Sequence, residues 1–121
     1  MTKVKSSIRP ERVDLYDRQI AAHPVIERKG AANPYTSVNG HMFSCINKLG
    51  DIGLRLSKED RQQFLEEHNT KLLESYGVIM KEYVVVPDSL LRSEEKFQPY
   101  LDMSFEYVKS LKPKPTTRQR K

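Results

Sequence analysis

Residues 39–65, NGHMFSCINKLGDIGLRLSKEDRQQFL, constrain the fold of this chain more than any other segment, because they read without a break as strand, turn, strand and helix. Residues 42–46 are apolar enough for a buried strand, and residues 47–51 supply turn formers. Residues 52–56 alternate with a period of two, with Leu54 and Leu56 inward and Arg55 between them. Ser57 stands where a helix N-cap belongs, and Glu59 and Asp60 bring negative charge to the positive end of the helix dipole. That order of elements predicts an α+β scaffold.

The flanking segments extend it. Pro10 suits a first helical turn, and Val13, Tyr16 and Ile20 fall on one face of a helix over residues 10–22. Residues 25–29 read as a short strand and residues 30–34 as a turn-rich break. Residues 35–38 form a strand that Asn39-Gly40, a strong hairpin dipeptide, returns against residues 42–46. The helix after Ser57 carries Phe64, Leu65, His68 and Leu72 on one side and ends between Asn69 and Tyr76. Residues 78–86, rich in β-branched and aromatic side chains, form the longest strand and stop at Pro87. Asp88 or Ser89 caps a short helical turn, and Ser93 caps the next segment. The last helix is expected from Gln98, with Pro99 in its first turn, and with Phe97, Leu101, Phe105 and Val108 on one face and Tyr100, Ser104 and Leu111 at its edges.

A length of 121 residues, with 37% hydrophobic and 31% charged residues, fits one domain with a modest core. The expected division is a flexible basic N-terminus over residues 1–9, a single domain over residues 10–111, and a basic disordered tail over residues 112–121. No apolar run is long enough to span a bilayer and the N-terminus has no apolar signal core, so a cytoplasmic protein is expected. The net charge of +5 is concentrated in the tail, where Lys112, Lys114, Arg118, Arg120 and Lys121 stand without an acidic neighbour. With five of the 21 basic residues there and all 16 acidic residues before them, the body is formally neutral. The tail can hold nucleic-acid phosphates loosely, which makes a nucleic-acid-associated accessory role one candidate function.

The remaining chemistry is sparse. Cys45 is the single cysteine and sits in a strand as a small hydrophobe. His23, His41 and His68 do not have metal-ligand spacing, the carboxylates fall at helix caps and solvated faces, and the five glycines are scattered. The chain is therefore read as non-catalytic, with no metal and no cofactor. A cluster of Lys29, Tyr35, His41 and Arg55, if the hairpins bring them together, could hold a small anionic ligand, since Arg55 offers a planar donor fork. The competing reading places His41 and Arg55 on a solvated strand face.

Three parts of the chain resemble the TfoX (Sxy) N-terminal-domain family: residues 39–56, the segment MKEYVVVP at residues 80–87, and FQPYL at residues 97–101 running on to LKPK at residues 111–114. The resemblance implies a two-layer α+β domain, an antiparallel sheet with helices packed on one face, similar to type III secretion chaperones and often dimeric. The chain departs from that family's usual Met-Phe-Gly type entry into the first strand, having KGAANPY at residues 29–35 instead. The strand at residues 78–86 is apolar on both alternating sets, Val78, Met80, Val84 and Val86 against Ile79, Tyr83 and Val85. A sheet with helices on one face leaves the other to be covered; a two-fold homodimer is the expected cover, the alternative being that the first or the last helix wraps over it. A homodimeric protein-interaction or regulatory module is the function this reading favours.

Overall fold

The computed structural model describes residues 8–75 and 77–113. Its elements run α1 Pro10–Ala22, β1 Tyr35–Val38, β2 His41–Ile46, β3 Ile52–Arg55, α2 Lys58–Glu67, β4 Leu72–Ser75, β5 Val78–Val85, α3 Asp88–Leu91 and α4 Glu94–Lys109. The five strands form one antiparallel sheet in the order β1-β2-β3-β5-β4. The helices lie on one face of it, the two-layer α+β arrangement expected from the sequence.

Local chemistry explains most of the elements. Asn39 and Gly40 both adopt positive φ, 55° and 81°, the paired left-handed conformation that a two-residue hairpin needs. Ser57 caps α2 by accepting from the Asp60 N–H, and Ser93 caps α4 by accepting from the Lys96 N–H. Tyr16 and Ile20 of α1, Phe64 of α2, Leu91 of α3 and Phe97, Leu101 and Val108 of α4 meet Phe43, Leu54, Leu56, Val84 and Val86 of the sheet in one core. Buried polar groups lock the layers together. The hydroxyls of Tyr16 and Thr36 each bond the Ser44 hydroxyl, at 2.6 and 2.5 Å. Ser104, buried in mid-α4, donates to the Arg55 carbonyl at 2.5 Å.

Several expectations are corrected. Ile8, assigned to the flexible N-terminus, is 4% exposed and belongs to the core, so the packed body begins before Pro10. Residues 25–29 form no strand; Lys29 makes a single antiparallel bridge with Tyr35. The second helix ends at Glu67 rather than between 69 and 76, because Asn69 turns to φ 50° and the chain re-enters the sheet as β4. The helical spacing of Leu72 from Phe64 concealed that strand. The last helix begins at Glu94, with Pro99 inside it. The first turns of a helix have unpaired N–H groups, and Pro99 lies just beyond them, so the cost is one lost bond to the Glu95 carbonyl.

Two bulges shape the sheet. Thr36 pairs with Ser44 but Ser37 with Met42, which makes Phe43 an extra residue and lets adjacent Phe43 and Ser44 both face the helices. Leu72 pairs with Val84 but Leu73 with Met80, so Lys81, Glu82 and Tyr83 have no partner in β4. That larger irregularity reverses the inward and outward phase along β5. Val84 and Val86 join the helix-side core, whereas Met80 shares a cleft with Cys45 on the opposite face, contrary to the simple alternation that puts all three together.

Candidate functional site

The second bulge also bends the β4–β5 hairpin across the face of the sheet that carries no helix. Leu73, fully buried, sits against Gly53 of β3, where an added Cβ would come within 2.5 Å of Leu73 Cδ2. The absence of a side chain at Gly53 is what allows the hairpin to lie so close. Tyr83 crosses the same face and donates its hydroxyl to the Met42 carbonyl at 2.7 Å, beside the β2 bulge. Beyond Leu73 the hairpin leaves a cleft of about 540 Å³ against β1 and β2, walled by Pro34, Tyr35, Met42, Cys45, Val78 and Met80. Val78 at its mouth is 62% exposed.

Thus the strand at residues 78–86 is covered by the chain's own helices on one flank, and on the other by a folded-over hairpin that leaves an apolar opening. Burial pushes the Cys45 thiol up to about 12 from an ordinary 9.0, which holds it in the thiol form at neutral pH. Burial likewise raises Tyr83, with smaller upward contributions from Cys45 and Glu82 that the Arg55 guanidinium partly opposes. The two methionines give the cleft an adaptable lining.

The four residues singled out for an anionic ligand are placed as follows. Lys29 and Tyr35 are joined by their backbone bridge, and Lys29 Nζ donates to Ser37 Oγ at 3.0 Å. His41 lies at the far end of the β1–β2 hairpin and its Nε2–H donates to the Lys112 carbonyl at 2.8 Å, past the end of α4. Arg55 ends β3 and its Nε donates to Glu82 Oε1 at 2.6 Å in a half-buried ion pair. Tyr35 alone of the four lines the cleft. Each of the three basic side chains has an oxygen partner from this same chain. Of the basic tail, Lys112 is exposed, and Lys114, Arg118, Arg120 and Lys121 lie outside the described residues.

The other histidines hold structural positions. His23 Nδ1 accepts from the N–H groups of Val25 and Ile26, so its Nε2 carries the proton given to Asp102 Oδ1 at 3.1 Å. His68 packs against both Phe64 and Tyr100, which also touch each other, with Nε2 at 3.0 Å from the Tyr100 hydroxyl. Among the described residues no group of three or more His, Cys, Asp or Glu side chains is placed to share a metal ion, and no helix is long and apolar enough to cross a membrane.

No family model matches the chain, and no solved structure matches it. A curated protein of Haemophilus influenzae, the 1,6-anhydro-N-acetylmuramyl-L-alanine amidase AmpD, is similar, with 30% identity over 90 residues that cover 67% of this chain and 49% of the amidase. The chain spans about half the length of that curated relative.

Sequence reasoning anticipated that one side of the long strand needs a cover. It did not find the residues of the cleft as a set, because Pro34, Met42 and Met80 are brought together by two bulges that leave no local signature.

Proposed function

We propose that this chain is a non-catalytic self-association module, a two-fold homodimer of the TfoX N-terminal-domain type that joins through the helix-free face of its sheet. The observation that carries the reading is the apolar cleft beside the β4–β5 hairpin, open to solvent and continuous with exposed Val78. A second copy suits it on two counts. Residues 1–111 carry equal numbers of acidic and basic side chains, so copies of the body do not repel one another by net charge. The cleft's neighbours are of both signs, with Lys48 and Asp51 in the β2–β3 turn, Lys71 just before β4 and Glu74 on it, and a two-fold axis can set each opposite its complement. A standard interface removes about 800 Å² from each copy, roughly a tenth of the 7728 Å² surface.

Sedimentation equilibrium tests this directly. The wild-type chain is expected as a dimer at tens of micromolar, and Val78→Asp, which places a charge at an exposed site, is expected to sediment as a monomer with an unchanged circular dichroism spectrum. A wild-type chain that remains monomeric throughout that range removes the proposal.

The partial match to an amidase favours a second reading, in which the chain hydrolyses an amide bond. Incubation of the purified chain at high concentration with an N-acetylmuramyl-L-alanine substrate, with or without added divalent metal, is the corresponding test. Release of free L-alanine would replace the non-catalytic reading.

A further inference from the structure

The β4–β5 hairpin presents apolar side chains in two directions, and the second direction opens on a separate groove. Because the bulge reverses the phase of β5, Ile79 points away from the Cys45 cleft and lies beside α2, where it is 56% exposed. There Ile79, Leu65 of α2 and Leu72 of β4 form the floor of a groove of about 530 Å³, and Lys58, Arg61 and Lys81 stand around it. No carboxylate lines this groove. Arg61 donates to the Leu56 carbonyl at 3.0 Å, which fixes its guanidinium at the N-terminal end of α2. Among the described residues neither Lys58 nor Lys81 has an ion-pair partner, and both are exposed.

We infer that this groove is a docking site for an acidic amphipathic helix from a protein partner, apolar side chains on the floor and carboxylates toward the three cations. Charge complementarity selects the partner. A body with balanced charge has here concentrated three positive groups around exposed apolar surface, an arrangement that discriminates by sign while the floor supplies the burial. The concave shape, with a helix along one side and a hairpin along the other, suits the ridge of an amphipathic helix, whose anchors recur at spacings of three and four. A flat anionic membrane would reach the cations but would leave the floor unfilled.

The probe is a fluorescein-labelled synthetic peptide of leucine and glutamate with a helical apolar stripe, compared by anisotropy with its leucine and lysine counterpart of identical spacing. Saturable binding of the glutamate peptide is expected, weakening as salt is raised, with the lysine peptide bound at least about tenfold more weakly. Ile79→Asp, at an exposed position, and the pair Lys58→Glu with Lys81→Glu are each expected to weaken binding about tenfold or more while circular dichroism is unchanged. Ile79→Asp is also expected to leave the mass in sedimentation equilibrium as in the wild type, so a failure of this site is distinct from a failure of the self-association face. Equal binding of both peptides, no saturable binding, or binding indifferent to these substitutions overturns the inference. So does co-sedimentation with phosphatidylglycerol vesicles, lost in the Lys58 and Lys81 pair, when the glutamate peptide does not bind.

Discussion

Gly53 shows how much of the unusual face depends on one missing methyl group. It sits in the central strand without backbone strain, and its role is to leave room for Leu73. Gly53→Ala is expected to cost about 1–3 kcal/mol through overpacking. Adding Leu73→Val should recover part of that loss, and a non-additive double-mutant cycle in urea denaturation is the check. Titration of three buried groups makes a second prediction. The thiol of Cys45 rises from 9.0 to about 12, and the phenols of Tyr16 and Tyr83 rise above their ordinary 10.0, all through burial first. For each, the unfolded chain loses its proton at lower pH than the folded chain does. The stability they contribute is complete below pH 9 and is lost as pH rises toward the folded values. The slope approaches about 1.4 kcal/mol per pH unit for each group in play. Urea midpoints measured from pH 7 to 11 should be level at first and then fall, and Cys45→Ala should move the onset from near the thiol's ordinary 9.0 toward the phenols' 10.0.

At the scale of elements, capping and turn residues did what their local chemistry requires. Asn39-Gly40, Ser57 and Ser93 mark their hairpin and helix starts in the chain and keep those roles in the fold. Errors arose where tertiary contact outweighed a local rule. Leu72 continues the apolar spacing of α2, yet pairing with Val84 takes it into the sheet. Pro99 would break an isolated helix, but Phe97 and Leu101 on either side of it are buried and hold α4 continuous through that position. Pro99 itself is exposed, so Pro99→Ala restores a donor to the Glu95 carbonyl without opening a cavity. An increase in stability of about 1–3 kcal/mol is expected, read as a higher urea midpoint with an unchanged slope. The strand edges differ as well. β1 is bridged by the Lys29 backbone, while the Asn47 side-chain amide donates to the Glu74 carbonyl of β4 at 2.7 Å, so each edge strand has a hydrogen-bond partner from a neighbouring loop.

At the scale of the molecule, the fold separates its packed core from its open apolar surface. The helix side holds the continuous core, and the opposite side holds a bent hairpin that is apolar toward the cleft and apolar again toward α2. If the helix-free face joins two copies, the thermal midpoint should rise with protein concentration, since association stabilises the folded state by mass action. Melting curves at 2 and 200 µM are expected to differ by several degrees for the wild type and to coincide for Val78→Asp (on the order of 2–3 kcal/mol across that range).

The sequence by itself determined the α+β class, the positions of α1, β1, β2, β3, β5 and α3, and part of the helix-side core: Tyr16, Ile20, Leu54, Leu56, Phe64, Phe97, Leu101 and Val108. Those features depend on periodicity and on side chains acting on their own backbone within a few positions. The tertiary structure alone decided β4, the length of α4, and which flank of β5 each side chain takes. Bulges and register are set by pairing between strands distant in the chain, and a change of phase at one irregularity reassigns every residue beyond it. For that reason Lys29 and Tyr35 bridge each other while His41 and Arg55, as chemically suited to a site, bond elsewhere, and Met42, Cys45 and Met80, unremarkable one by one, share a cleft.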